Sequence, residues 1–499
     1  YEFNDYSSKT LDVYGTGFIP GFEVLDVVSK PERTKGGITQ WATQSYLSNV
    51  NYSYEDRYLG QVSLRRDEAS NFGKRFGTFY SISGGWNIHR ENWFDVSWIN
   101  NLKLRAAHGT VGNRPSELYP QYNLYSVSAA AGYDGLPGAL IGRIGNPNLT
   151  WEETATTGFG VDAAFFSSRL RLNFDWYNKN TENILLNVPI SQMTGVGSVY
   201  KNIGEMNNKG IELNIGGDII RTDDLQWSLD VNLGHNKNKL TQLYATRQSD
   251  GTYVVNPIIV GDALGIAGSA SRIQEVGLPI NTYYMPEWAG VNVDTGAPMW
   301  YKNTKDVEGN ITGKETTTNY SEATQQRLGK SYPDLFGGIN TFMAYKNFDL
   351  NAVLGYSIGG QIYNYARQEY DSDGTYTDRN QMKLQDGWLR WEKPGDNATH
   401  PIAKYNNQDK GNLVSSRYLE DGSFLRLRSL SLGYKVDLSK YKINNVRFFF
   451  TGENLFTVTN YSGVDPEIPS NDNGEVIASA GPGVYPAVRK YVFGLNVTF

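Results

Sequence analysis

The sequence predicts an all-β protein, a transmembrane antiparallel β-barrel, on three observations: apolar and polar residues alternate along many segments, short and long links alternate between those segments, and no apolar run reaches the length of a spanning helix. Alternation with period two puts successive side chains on opposite faces of a strand. The final stretch, RKYVFGLNVTF, shows it plainly. Tyr491, Phe493, Leu495, Val497 and Phe499 share one face, and Val492, Gly494, Asn496 and Thr498 share the other. The first set is expected to face lipid.

The same pattern recurs upstream. Leu102, Leu104 and Ala106 oppose Lys103 and Arg105; Leu170, Leu172, Phe174 and Trp176 oppose Arg171, Asn173, Asp175 and Tyr177. Ile211, Leu213 and Ile215 oppose Glu212 and Asn214, and Trp227, Leu229, Val231 and Leu233 oppose Ser228, Asp230 and Asn232. Phe348, Leu350, Ala352 and Leu354 oppose Asp349 and Asn351. Charges on the second face suit a wet lumen better than a sandwich core, so Arg105, Arg171, Asp175, Glu212 and Asp230 are expected to face a lumen. In FLRLRSLSLGY the apolar phase changes between Leu427 and Leu430, which calls for a bulge or a membrane exit near Ser429.

The links sort by length. Those at 54–58, 166–170, 220–225, 345–348 and 438–445 are short, and 89–101 is intermediate; those near 113–152, 184–208, 238–332, 359–422 and 458–489 are long. A barrel with tight periplasmic turns and large extracellular loops produces this order, whereas a soluble sandwich has no reason to. About thirteen strands fit from residue 45 onward, with one more near 18–30. By that parity the last strand runs down to the periplasmic rim.

Composition narrows the function. With 34 Tyr and 53 Gly in 499 residues, the chain suits half-exposed strands and turns. A formal charge of −6 argues against nucleic acid as a partner, and the absence of cysteine removes disulfides and thiolate chemistry. The start at Tyr1 lacks the features of a signal peptide, so a processed leader or a longer parent chain is expected. The four histidines are scattered, GTGFIPG (15–21) lacks the spacing of a phosphate loop, and no carboxylate pair is singled out for glycoside hydrolysis. No catalytic residues are expected. No cofactor is required either, although DSDGTYTD (371–378) and NDNG (471–474) gather oxygen ligands beside a glycine. Solvated turns are the commoner meaning of such stretches; if a structural calcium is held, Asp371, Asp373 and Asp378 are its candidates. The long links carry Tyr283, Tyr284, Trp288, Trp300, Trp388 and Trp391, which suit stacking on cargo or anchoring a partner, or else packing among loops.

Several stretches together resemble the SusC/RagA-type TonB-dependent outer-membrane transporters of Bacteroidetes. They include NVNYSYEDRYLGQVSLRRDEASNFG (50–73), INNLKLRAAHGTVGN (99–113), GNPNLTWEETATTGFGVD (145–162), NIGEMNNKGIELNI (202–215), SFLRLRSLSLGYKV (423–436) and ENLFTVTNYSGVDPE (453–467). The resemblance implies that residues 1–499 are the C-terminal part of one barrel domain, about fourteen strands of about 22, with the plug and remaining strands outside this chain. It further implies import of large nutrients, glycan or peptide, across a bacterial outer membrane. The implied partners are a SusD-like surface lipoprotein, the TonB complex acting through the plug, and a second copy, giving a dimer of transporter–lipoprotein pairs. The competing reading is a β-barrel adhesin or binding protein that uses its long loops. An outer-membrane hydrolase or a soluble glycan-binding sandwich are further alternatives.

Overall fold

A computed structural model describes the chain apart from residues 18–19, 22–28, 72, 115–116, 135, 248–249, 261–270, 379, 408, 439, 441–442, 468–485 and 499. Phe499 and the NDNG stretch therefore lie outside the described residues. Fourteen strands form one sheet in which chain neighbours are sheet neighbours. They are β1 (Glu2–Thr16), β2 (Lys30–Tyr54), β3 (Tyr58–Ala69), β4 (Phe76–Asn87), β5 (Ile99–Asn113), β6 (Glu152–Phe165) and β7 (Leu170–Pro189). There follow β8 (Ser198–Arg221), β9 (Leu225–Gln242), β10 (Leu335–Tyr345), β11 (Phe348–Ile358), β12 (Phe424–Leu438), β13 (Ile443–Thr459) and β14 (Lys490–Thr498).

Of two expectations about strand limits, one lies mostly outside the described residues and one needs correction. The first strand of the sheet is Glu2–Thr16, and most of the stretch 18–30 where one was expected lies outside the described residues; the Glu2–Thr16 strand pairs antiparallel with β2 through contacts such as Tyr6 with Trp41. Its sequence, EFNDYSSKTLDVYGT, hardly alternates, so ladder hydrogen bonds define it where no apolar face does. The link near 184–208 is shorter than expected, because β7 continues to Pro189 and β8 begins at Ser198. Ile184, Leu186 and Val188 are all buried at period two. Gly204 makes room for them, since a Cβ there would lie 2.9 Å from Leu186 Cδ1.

The chain divides into two compact units, one of Tyr1–Trp86, Arg105–Thr157 and Lys179–Met206, the other of Asn87–Leu104, Gly158–Asn178 and Asn207–Phe499. In the first, β2 and β3 pair in strict register, Val50 opposite Val62 and Asn49 opposite Ser63, so one face is apolar and the other polar. On the polar side Ala69, Phe79, Leu149 and Trp151 form a small core.

In the second unit, β10 to β14 pair antiparallel with the same segregation. Met343, Leu350, Leu432, Phe450 and Phe493 line up across five strands, as do Tyr345, Phe348, Tyr434, Phe448 and Leu495. This face is exposed: Phe348 keeps 61% of its surface and Phe493 80%. A contiguous apolar area of this kind marks a surface meant for something other than water. The phase change in β12 is a bulge. Val353 is opposite Ser429 but Leu354 is opposite Leu427, leaving Arg428 as the extra residue and returning the leucines to one face on both sides of it.

The described residues of the links 238–332 and 359–422 fold into a loop body whose sheets are separate from the fourteen-stranded sheet. Its small sheets include Trp288–Val291 with Pro298–Lys305 and Ile311–Thr317, and Gln361–Tyr363 with Leu419–Asp421. A six-residue helix, Tyr365–Tyr370, starts where the Asn364 side chain accepts a bond from Arg367 N.

Candidate functional site

On the polar face of the strands, charged residues pair across an intervening glycine. Arg171 of β7 reaches over Gly216 of β8 to Asp230 of β9, with Nη2 3.4 Å from Oδ1. A Cβ on Gly216 would sit 2.1 Å from that same oxygen. Likewise Arg447 of β13 donates from Nε to Asp349 Oδ1 of β11 at 2.9 Å, across Gly433 of β12. A Cβ on Gly433 would meet both atoms at 2.5 Å. Glycine in these strands thus leaves space for an ion pair two strands wide. Of the residues expected on this face, the structure brings Arg171 and Asp230 together; Arg105 and Asp175 are half-buried and Glu212 is exposed. The alternation placed Asp349 on the polar face, but its partner Arg447 and the intervening Gly433 were not expected from it.

In the loop body, aromatic residues and charges are buried together. Tyr283, Met285, Tyr363, Val414 and Tyr418 are fully buried in one cluster. Ring donors join the two links: Tyr283 Oη donates to Gln361 O at 3.1 Å, Tyr320 Oη to Val414 O at 2.7 Å, and Trp391 Nε1 to Val293 O at 2.9 Å. Tyr283, Trp300 and Trp391 are therefore buried core residues, which is the packing among loops that was the alternative expectation for them. Burial of large rings outweighs display once the long links have a core of their own. Tyr284 is half-buried under Arg327. Trp288 and Trp388, also half-buried, carry guanidinium groups: Arg417 lies 5.1 Å from the Trp288 ring and Arg367 4.2 Å from the Trp388 ring.

Those arginines surround Asp371 and Asp373, which are 0% and 1% exposed. Arg417 Nη2 donates to Asp371 Oδ2 at 3.1 Å and to Asp373 Oδ1 at 3.0 Å, and Arg390 Nη1 to Asp373 Oδ1 at 2.8 Å. His400 Nε2 is 2.9 Å from Asp371 Oδ2, and Arg367 Nη1 bonds Glu420 Oε1 at 3.0 Å. Burial by itself would raise the Asp371 carboxyl, but Arg417 and then His400 outweigh it and hold it below the usual carboxylate range. For Arg417 burial disfavours the charge, and Asp373 and Asp371 reverse that and push it well above the usual value.

The calcium expectation is corrected by this arrangement. Asp371 and Asp373 already have cationic partners, Asp378 is exposed, and no metal-binding group of three His, Asp or Glu side chains occurs among the described residues. The cluster ties distant parts of the 359–422 link together through buried ion pairs. Arg390, Arg417 and His400 had no local signal as its members, being distant in sequence from the carboxylates they meet, whereas Arg367 is four residues before Asp371.

The family described as "TonB dependent receptor-like, beta-barrel" matches residues 1–364. A TonB-dependent receptor of Formosa agariphila is 31% identical over 93% of this chain and 47% of its own length. The TonB-dependent receptor SusC of Bacteroides thetaiotaomicron is 28% identical over 92% of this chain and 44% of its own. Among solved structures, the RagAB peptide transporter superposes with a TM-score of 0.83 at 28% identity, covering 100% of this chain and 52% of that one. The chain thus spans about half the length of the relatives it matches.

Proposed function

Because the chain belongs to the TonB-dependent receptor β-barrel family and closely resembles its SusC/RagA type, we propose that it is the C-terminal wall of an active importer in a bacterial outer membrane. In this reading its fourteen sheet strands belong to a closed barrel of about 22, and the plug and other strands lie outside this sequence. The whole protein moves a large nutrient, glycan or peptide, without covalent chemistry, drawing energy from TonB acting on the plug. A SusD-like surface lipoprotein covers the outer mouth, and two such pairs associate.

The observation that carries the reading is the two-faced strand set, apolar and exposed on one side, ion-paired on the other. In a bilayer the first face meets lipid and the second encloses a polar path. Tyr491, Phe493, Leu495 and Val497 belong to the lipid side; Arg105, Arg171, Asp175, Glu212 and Asp230 line the path. The loop body, held rigid by its buried charges, presents a preformed outer surface over the mouth. The similar RagAB structures, a peptide transporter and a peptide importer in "open-open" and "closed-closed" states, support a moving, partnered assembly.

The test is purification from outer membranes in mild detergent, with every polypeptide of the unboiled complex identified by mass spectrometry, alongside TonB-dependent uptake by intact cells. A co-purifying surface lipoprotein and uptake that stops without TonB are expected. A solitary chain released without detergent would overturn the proposal.

A further inference from the structure

The first unit contains a pocket of about 620 Å³ whose lining includes Tyr6, Trp41, Asn71, Arg114, Glu117 and Glu152. Its two carboxylates are already engaged. Glu117 accepts from Arg143 Nη1 at 2.6 Å, and Glu152 accepts from Leu185 N at 2.8 Å and from Asn113 Nδ2 at 3.0 Å. Asn71 differs from them: its side chain is 1% exposed, yet neither Nδ2 nor Oδ1 has a partner among the described residues, and the same holds for Arg114 Nη1. A buried amide left in this state calls for an explanation, and a ligand in the adjoining space supplies one. Arg114 is also held in place. Its guanidinium carbon lies 3.8 Å from the centre of the Trp41 ring, which in turn stacks on Tyr6 at 5.2 Å. A guanidinium held over a ring at this distance is restricted in where it presents its fork, which suits the planar, two-oxygen geometry of a carboxylate.

Resting on the importer reading, we propose that this pocket is a cargo subsite selective for a carboxylate group, with Arg114 binding the acid and Asn71 pairing with the donor and acceptor next to it. Those neighbours are the amide of a peptide or the hydroxyls of an acidic sugar. Glu117 is paired with Arg143, and Glu152 is oriented by Leu185 N and Asn113 Nδ2 and forms no ion pair with Arg114 among the described residues, so Arg114 selects the charge and the amide selects what adjoins it.

The experiment uses the full-length transporter, purified in detergent, and calorimetric titration with four probes: trigalacturonate and its methyl ester, a tripeptide and its C-terminal amide. One free acid is expected to bind at least tenfold more tightly than its neutral counterpart, and which pair shows the difference identifies the source of the carboxylate. R114Q should abolish the difference, R114K should retain part of it, and N71A should weaken acid and neutral probes alike. Retention of a heat-modifiable band by each variant shows that it is folded. Equal binding of acid and neutral probes, no binding of any probe, or an unchanged preference in R114Q would overturn the subsite. Uptake of neutral cargo by cells is scored separately. Intact TonB-dependent uptake with no carboxylate preference removes the subsite alone, whereas absent uptake with the preference present removes the import reading alone.

Discussion

On the strand wall, the Arg171 side chain keeps 43% of its surface beside Asp230, while in the loop body Arg417 keeps 2% beside Asp371 and Asp373. The same pairing of residue types therefore does different work. The wall pair is wet and screened, so it shapes a surface at small energetic consequence. In the loop body each carboxylate and guanidinium has lost its water, and each depends on the others to remain charged. The outer apolar face of the wall completes the contrast, since it leaves large rings exposed while the loop body buries them.

The largest expected effect tests the buried side of this comparison. Arg417→Met should destabilise the loop body by about 3–5 kcal/mol, because it leaves Asp371 and Asp373 short of their main partner. Hydrogen exchange over 359–422 reads this as lost protection, with the strands unchanged. Protection equal to wild type would mean that the cluster does not hold the loops. The wall is tested by adjacent residues on β14. Phe493→Arg should cost about 2–4 kcal/mol for a charge near the bilayer midplane, and Val492→Arg much less. Urea titration of the folded, heat-modifiable form distinguishes them, and equal costs would break the two-faced reading.

A smaller effect comes from pH. The folded Asp371 carboxyl lies below its unfolded value, so its stabilisation is complete above the unfolded pKa of about 3.9 and disappears as pH falls through the lowered folded value. Protection of 359–422 should be equal at pH 7 and pH 5 and fall only in stronger acid. The smallest effect is expected of Arg171→Ala, about 0–1 kcal/mol in the same urea titration. A larger loss would place that pair among the buried ones.

How much of this was legible in the sequence follows the same division. Where strands have one lipid-like and one polar face, burial has period two, and the leucines around Ser429 revealed both the strand and its bulge. The turn at Tyr345 and Phe348 was readable for the same reason. In β1 the faces are not chemically distinct, and the sequence carried no phase to read. The loop body was opaque because its core is assembled from distant segments. Asp371 and Asp373 look like calcium ligands in DSDGTYTD, and nothing local indicates that Arg417, 46 and 44 residues away, occupies them. Trp300 and Trp391 could be read as display or as packing residues for the same reason. Asn71 and Arg114 meet only through the fold.

The most direct test of the two-faced wall is site-directed spin labelling along residues 490–498 in reconstituted bilayers, made clean by a sequence with no cysteine. Single cysteines at successive positions are labelled, and relaxation by dissolved oxygen and by a water-soluble nickel chelate is compared. The account predicts period-two alternation, with oxygen favoured at 491, 493, 495 and 497 and nickel favoured at the positions between. Uniform access by nickel at all of them would contradict it.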